Sequence, residues 1–232
     1  MVIIDAGHGG FDPGGGSNIY FKEKELTSKI SNYQKKRFDE LGIPSILVRT
    51  YDETLPPRER TNRIKEFGSK TTDILISNHI NNGGSKGGEI IYSIRDSGEL
   101  ARMIAEKLKE AGLPIRNVYQ RLNRLGKDYY FILRDTNPNN AMIIEYGFAD
   151  NESDAFRLIY EWPVLAEQVV KAITEYFQLP YREPSIKTYI IKPNDTLYSI
   201  ATTNNTTVKK IKELNNLNSN TIFPGATLLI PW

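Results

Sequence analysis

The chain opens with the stretch Val2-Ile-Ile-Asp-Ala-Gly-His8-Gly-Gly, in which a short apolar run leads directly to a histidine. A second stretch, Asp73-Ile-Leu-Ile-Ser-Asn-His79, repeats this arrangement. The 232 residues include two histidines and no cysteine, so a tight transition-metal site would have to combine imidazoles with carboxylates. A histidine after an apolar run is by itself compatible with a structural role. A metal site therefore requires further ligands at the same place.

Short apolar runs alternate with helical patterns along most of the chain. The runs predict strands at Val2–Ala6, Ser45–Val48, Asp73–Ser77, Glu89–Tyr92, Tyr129–Leu133 and Met142–Tyr146. Helices are predicted between them at about Glu23–Leu41, Pro57–Phe67, Ser97–Ala111 and Glu152–Phe177. This alternation is typical of an α/β fold, with a mostly parallel twisted sheet flanked by helices on both faces.

Polar residues follow several of the predicted strands. Ligands gather outside the carboxyl ends of the strands in open α/β sheets. His8 follows the first strand, His79 follows the third, and Glu145 lies near the end of the last. Glu23 begins the first helix in line with its apolar residues, a costly place for a carboxylate unless it is paired or bound to metal. The alternative is that Glu23 simply favours the positive end of the helix dipole.

Four blocks of sequence, in order, carry a resemblance to a known family. The blocks are Asp5-Ala-Gly-His8-Gly-Gly-Phe-Asp12-Pro-Gly, Lys22-Glu23-Lys24-Glu25-Leu26, Ser77-Asn-His79-Ile-Asn81 and Ile144-Glu145-Tyr-Gly-Phe148. Across about residues 1–178 they resemble the zinc-dependent N-acetylmuramoyl-L-alanine amidases, which are peptidoglycan hydrolases. The resemblance implies cleavage of the amide bond between N-acetylmuramic acid and the L-alanine of the stem peptide.

The resemblance also implies roles for four residues. His8, Glu23 and His79 match the family's Zn²⁺ ligands, and Glu145 matches its catalytic carboxylate. Three protein ligands leave the fourth position of a tetrahedral zinc ion open for water. The metal acidifies that water and polarises the amide carbonyl, while a nearby carboxylate can move the proton.

Four further residues are weaker candidates around this site. Asp5 or Asp12 is expected to orient a ligand imidazole, although each is equally suited to a turn. Arg134 resembles a residue near the family's active site, and Asn81 closes the third block. Both are candidate substrate contacts.

The C-terminal region predicts a second, smaller module. The expected boundaries are 1–179 for the catalytic domain, 180–187 for a linker and 188–232 for the second domain. Prolines at both ends of the linker discourage helix and are expected to keep the modules apart. A βααβ pattern is predicted there, with strands at Thr188–Ile191 and Ala226–Ile230 and helices at Thr196–Thr203 and Val208–Leu214. Three stretches stand out within it: Thr196-Leu-Tyr-Ser-Ile-Ala201, Leu214-Asn-Asn-Leu217 and Phe223-Pro-Gly-Ala-Thr-Leu-Leu-Ile-Pro231. They resemble one LysM repeat, a module that binds glycans containing N-acetylglucosamine.

The LysM resemblance implies a sugar groove formed by two loops. The implied contacts are Asp195, Thr196, Leu197, Ile222 and Pro224. Plain caps and turns are the alternative for these residues, because Asp, Asn and Thr favour such positions. One copy of the repeat predicts modest affinity.

Charge and the N-terminal sequence restrict partners and location. With 30 basic and 28 acidic residues, the net charge of +2 lacks the strong basic patch of a nucleic-acid-binding protein. No stretch approaches a membrane span, and Met1-Val-Ile-Ile-Asp lacks the features of a signal peptide. We therefore expect synthesis in the cytoplasm and action on the cell wall after lysis or release.

These features favour a phage or prophage endolysin. The alternatives are a bacterial autolysin of mother-cell lysis or wall turnover, a wall-binding protein that no longer catalyses, and a zinc carboxypeptidase acting on the stem peptide. Analysis of the cleavage products separates the amidase from the carboxypeptidase. The sequence leaves the oligomeric state open.

Overall fold

A six-stranded sheet forms the centre of the main domain in the computed structural model, which describes residues 1–215 and 217–231. Its strands are β1 (Val2–Ala6), β2 (Ser45–Leu47), β3 (Ile74–Asn81), β4 (Gly88–Tyr92), β5 (Ile115–Tyr119) and β6 (Asn140–Phe148). Their order is β2-β1-β3-β6-β4-β5, and the first four are mutually parallel. β4 runs antiparallel to β6 and parallel to β5. The predicted mostly parallel α/β sheet is confirmed.

Helices cover both faces of this sheet. Side chains alternate between the two faces along each strand, so the apolar strands present residues for burial on both faces. The helices are α1 (Glu23–Glu40), α2 (Pro57–Glu66), α3 (Glu99–Glu110), α4 (Phe131–Arg134), α5 (Glu152–Tyr160) and α6 (Trp162–Tyr176). Ile4 and Ile76 pack in the core beneath α1, α3 and α6. Ile3 and Leu75 pack in the opposite core with α2 and α4. The same alternation directs His79 towards the face covered by α2 and α4.

The predicted strand Tyr129–Leu133 is wrong. The segment is a loop followed by the short helix α4, in which the adjacent residues Ile132 and Leu133 are both buried. A strand would direct one of these two side chains away from the core, whereas a helical turn buries both. The true strand β5 was missed because Arg116 and Asn117 are exposed and interrupt its apolar pattern.

Other element boundaries also differ from the prediction. The expected helix Glu152–Phe177 is interrupted at Glu161. Pro163 lacks an N–H and therefore suits the first turn of a new helix, α6, better than the interior of a continuous one. β3 and β6 are longer than predicted. His79 therefore lies within β3 rather than beyond it, and Glu145 lies within β6, as expected. They are partners in the parallel β3–β6 register.

The C-terminal module has the predicted strand–helix–helix–strand order. It consists of β7 (Ile186–Ile190), α7 (Leu197–Thr203), α8 (Val208–Asn215) and β8 (Thr227–Pro231), with the two strands antiparallel. Ile200, Ile211 and Ile230 belong to its own small core. The predicted range also includes Asn216 and Trp232, which lie outside the described residues. No helix in the described part of the chain combines the length and apolarity needed to cross a bilayer.

The expectation that the linker keeps the two modules apart is wrong. Ile186 and Leu229 of the C-terminal module pack in the core beneath α1 and α6. Thr227 Oγ1 donates to the carbonyl oxygens of Ile159 and Tyr160, at 3.2 and 3.0 Å. The prolines do leave residues 180–185 without helix or strand, but the apolar surface of β7 and β8 is buried against the main domain.

Candidate metal centre

Three side chains from separate elements converge at the carboxyl edge of the sheet. Glu23 Oε1 lies 3.2 Å from His8 Nε2 and 3.1 Å from His79 Nδ1. One ligand atom from each of the three residues lies within 4.8 Å of the others. The imidazole rings are edge-on, with centroids 5.0 Å apart. Two nitrogens and an oxygen therefore meet closely enough to bind a single metal ion.

His8 is positioned by an unusual backbone conformation. It lies just after β1 with φ +61°, a left-handed value that few residues other than glycine adopt. The Arg60 guanidinium donates to the His8 carbonyl oxygen at 2.7 Å and to that of Ala6 at 2.9 Å. His8 Nδ1 lies 2.8 Å from Asp12 Oδ2, which orients the ring so that Nε2 faces Glu23.

Glu23 is the buried centre of the cluster, with 1% of its side chain exposed. Its Oε1 accepts a hydrogen bond from the Ile80 N–H at 2.9 Å, and its Oε2 accepts one from the Gly16 N–H at 2.7 Å. These bonds orient the carboxylate and offset part of the cost of burying it. Its place at the start of α1 also suits the helix dipole, so both sequence-based interpretations describe the same position.

The electrostatics of the cluster favour bound positive charge. Burial lowers the pKa of His8, but hydrogen bonds and charges from Glu23 and Asp12 outweigh it and raise the pKa to about 9. Burial also opposes charge on His79, yet its contact with Glu23 and the charge of Glu145 leave its pKa raised. Burial alone would raise the pKa of Glu23, whereas the two imidazoles hold it well below its usual range.

Glu145 stands beside this cluster. It is the register partner of His79 on β3 and of Glu89 on β4, and it lines a cavity of about 190 Å³ that His8 and His79 also line. Its Oε2 is buried without a hydrogen-bond partner. Burial, with the charges of Glu23 and Glu89, raises the Glu145 pKa to about 7. A buried carboxylate oxygen without a hydrogen-bond partner is available to accept a proton.

The buried ion pair between Asp5 and Arg60, which lies next to the cluster, was not predicted from the sequence. Buried Asp5 does not contact an imidazole; it pairs with Arg60 and accepts a hydrogen bond from Ser77 Oγ at 2.7 Å. Arg60 thus links a buried carboxylate to the backbone that carries His8. The available signal was that Arg60 lies four residues before buried Ile64, on the inward face of α2.

The two candidate substrate contacts lie outside the cavity beside Glu145. Arg134 donates to the carbonyl oxygens of Asp128 and Tyr129, at 3.0 and 2.9 Å, and pairs with Asp135. Asn81 donates to Glu89 Oε2 at 2.9 Å. In this structure, both side chains support neighbouring segments, and substrate contact by either of them stays a prediction.

The predicted glycan contacts of the C-terminal module fall into two groups, of which the first is engaged in turns and caps of the module itself. Asp195 Oδ2 accepts bonds from Tyr189 and from the Lys192 N–H, Thr196 caps α7, and Leu197 is 2% exposed. These contacts are those of turn and cap residues. Ile222 is half-buried against the core of the module, and Pro224 is exposed. Glycan binding by this module stays a prediction.

A close backbone approach at Gly7 gives a test of the geometry. A Cβ on Gly7 would lie 2.5 Å from His79 Cε1, so Gly7→Ala should displace the imidazole and weaken metal binding by about 10–100-fold, as the loss of a supporting contact typically does. Metal affinity is measured by competition with a chelator. Gly15→Ala is the matched control, because a Cβ there meets nothing within 4 Å. Equal affinity in the two variants would contradict the close approach.

The fold and cluster define an α/β protein with a candidate metal centre of two histidines and one glutamate. The chain belongs to the N-acetylmuramoyl-L-alanine amidase family, whose model matches residues 2–175. A LysM domain model matches residues 189–231. The resemblance seen in the four sequence blocks is confirmed.

Several bacterial proteins resemble this chain over its main domain. A sporulation-specific N-acetylmuramoyl-L-alanine amidase of Bacillus subtilis is 30% identical over 159 residues, covering 68% of this chain and 59% of that protein. The uncharacterized Bacillus subtilis protein YqiI is 29% identical, covering 76% of this chain and 84% of YqiI. Among solved structures, the CwlD amidase of Clostridioides difficile, determined with the GerS lipoprotein, is 28% identical with a TM-score of 0.64. The match covers 76% of this chain and 98% of the CwlD chain.

Proposed function

We propose that this protein is a zinc-dependent N-acetylmuramoyl-L-alanine amidase, which hydrolyses the amide bond between N-acetylmuramic acid and the L-alanine of the peptidoglycan stem peptide. The observation that carries the proposal is the convergence of His8, Glu23 and His79 beside the unpartnered carboxylate oxygen of Glu145. Family membership over residues 2–175 supports the choice of substrate.

The side chains of the cluster fit a zinc ion. Two imidazoles and one carboxylate are a donor set of catalytic zinc centres. The raised histidine pKa values and the lowered pKa of Glu23 support this fit, because the proton that the metal-free cluster holds would be displaced by the zinc ion. A zinc ion bound by His8, Glu23 and His79 would acidify a water molecule and polarise the amide carbonyl.

Residues of the chain supply the remaining functions. Glu145, next to His79 in the sheet, accepts a proton from the attacking water and returns it to the nitrogen of the departing L-alanine. Asp12 orients the His8 imidazole, and Arg60 holds the backbone of His8 in its left-handed conformation. Apolar residues from α4 and the loop before α2 line the rest of the cavity, where they would exclude bulk water from the reaction.

The decisive experiment is a digest of purified cell wall by the zinc-loaded protein. The proposal expects a new N-terminal L-alanine and unchanged reducing ends on the glycan. A carboxypeptidase would instead free a C-terminal residue of the stem peptide. Binding to the wall without any new amine would favour the non-catalytic alternative.

We propose further that the protein acts as a phage or prophage endolysin, made in the cytoplasm and acting on the wall after release. A bacterial autolysin is the alternative, supported by the relatives named as sporulation-specific or cell wall amidases. Producing the protein inside host cells distinguishes the two settings. An endolysin should leave the cells intact until the membrane is permeabilised, whereas an autolysin used in wall turnover should act on growing cells without permeabilisation.

We also propose that the C-terminal module binds the wall glycan, and its loop 220–224 offers a test. Phe223 is 70% exposed, and Phe223→Ser should reduce the amount of protein that sediments with peptidoglycan by about fivefold, because an exposed aromatic ring supplies stacking surface for a sugar. Cleavage of small soluble muropeptides should be unchanged. Phe156→Ser is the matched control, since Phe156 is exposed on α5 of the main domain.

Full-length variants are better suited to this test than a fragment. A chain ending near Pro180 would lose Ile186 and Leu229, which belong to the main core. Ile222→Asp would place a charge on a side chain that packs against the core of the module. If Phe223→Ser and Phe156→Ser sediment equally with the wall, the module does not bind glycan through this loop.

A further inference from the structure

A hairpin-like loop fixes an arginine beside the candidate active site. Leu122 and Asp128 form an antiparallel bridge, and the Tyr129 N–H donates to the Arg121 carbonyl oxygen at 2.8 Å. The Arg121 guanidinium lies 4.1 Å from the centroid of the Tyr129 ring and donates to Tyr130 Oη at 3.0 Å. Stacking and hydrogen bonding therefore hold an exposed side chain in one orientation.

One residue, Tyr130, connects this arginine to the cavity that contains Glu145. Tyr130, to which Arg121 is bonded, lines the cavity together with His8, His79 and Glu145. Tyr119 gives independent evidence of proximity. Burial raises its pKa, and the charges acting on its hydroxyl include those of Glu89, Arg121 and Glu145. Arg121 and Glu145 therefore both lie within electrostatic range of the Tyr119 hydroxyl.

Apart from the metal centre, the cavity offers an anionic substrate no unpaired cationic side chain among the described residues. Its lining includes the carboxylates of Asp5, Asp12 and Glu145, and its one arginine, Arg60, is paired with Asp5. Among residues 1–215 and 217–231, Arg121 forms no ion pair with a carboxylate, and its one hydrogen bond from the guanidinium goes to Tyr130. Most of the five N–H donors of the guanidinium are therefore available to a ligand.

We propose that Arg121 binds a free carboxylate on the stem peptide of the substrate and thereby determines specificity for non-amidated stems. The proposal rests on the proposed amidase function, which places the L-alanine nitrogen in the cavity beside Glu145. The first carboxylate beyond that alanine is the α-carboxylate of the D-glutamate that follows it. A guanidinium of fixed orientation suits a planar carboxylate, because it can form two parallel hydrogen bonds.

The test compares two synthetic muramyl tripeptides that differ in one group. One carries D-glutamate with a free α-carboxylate, and the other carries D-isoglutamine, its carboxamide. Their Kd values are measured by calorimetry on the zinc-loaded, full-length Glu145→Gln protein, so that binding is read without turnover. KM and kcat for the two tripeptides are then measured on the protein that retains Glu145. The variants are Arg121→Met, Arg121→Lys and the control Arg124→Met, which removes an exposed arginine of the same loop.

Arg121→Met is expected to weaken binding of the carboxylate tripeptide by about tenfold and to leave the carboxamide tripeptide within about twofold. Arg121→Lys should keep part of the preference for the carboxylate tripeptide, and Arg124→Met should keep the full preference of the parent protein. Equal losses for both tripeptides, or no loss for either, would overturn the proposal. Tripeptides that bind with this preference but are never cleaved at L-alanine would instead contradict the amidase function alone.

Discussion

Replacing His79 with alanine is expected to remove zinc and activity together. The variant would retain one imidazole, because the chain contains only two histidines. Loss of a mere supporting contact costs a metal site about 10–100-fold in affinity, and loss of a ligand should exceed that range. Zinc content after dialysis and release of L-alanine N-termini from purified wall measure the two effects on the same sample.

Asp12→Asn provides a graded control for this experiment. It keeps all three ligands but weakens the contact that orients the His8 imidazole, so zinc affinity should fall by about 10–100-fold without being lost. His8→Ala should match His79→Ala. Circular dichroism establishes that each variant is folded. A folded His79→Ala protein with full activity would exclude this cluster as the catalytic metal centre.

Replacing Glu145 with glutamine is expected to separate binding from chemistry. The change is nearly isosteric, and Glu145 is not among the three clustered ligand residues, so zinc and fold should be retained. Turnover should fall by about 10²–10⁴-fold, the usual contribution of a general base. The measurements are zinc content, thermal unfolding and the initial rate on soluble muropeptides.

Glu89→Gln is the matched control for Glu145→Gln. Glu89 is a buried carboxylate on the neighbouring strand, in register with Glu145, but its oxygens are engaged by Arg116 and Asn81. Its replacement should therefore reduce the rate much less. Retained activity in Glu145→Gln would mean that another group accepts the proton, and loss of zinc would identify Glu145 as a ligand.

Several features of the fold could be predicted from local sequence because they depend on periodicity. The continuous apolar runs of β1 and β3 reflect burial on both faces of one sheet, and the apolar spacing in α1 reflects burial against one of those faces. The segment Tyr129–Leu133 was mispredicted because aromatic and branched residues favour strands, whereas burial of Ile132 and Leu133 decides for a helical turn. Strand propensity depends on the residues of the segment itself, whereas burial depends on how the whole chain packs.

The sequence by itself determined the ligand chemistry of the candidate site. Without cysteine, only two histidines and a carboxylate could provide it, and the family blocks identified which carboxylate to consider. The order of the strands then placed His8, His79 and Glu145 at one edge, because parallel strands end on the same side.

Only the tertiary structure decided how these groups are supported and what surrounds them. It assigned Asp12 rather than Asp5 to the His8 imidazole, docked the C-terminal module on the main core, and set Arg121 against Tyr130. Asp5 and Arg60 are 55 residues apart in the chain. The spacing between Arg60 and Ile64 indicates that Arg60 faces inward, but no local pattern identifies Asp5 as its partner. Such contacts arise when the packing of helices on the sheet brings distant side chains together, so they become visible only when the chain is folded.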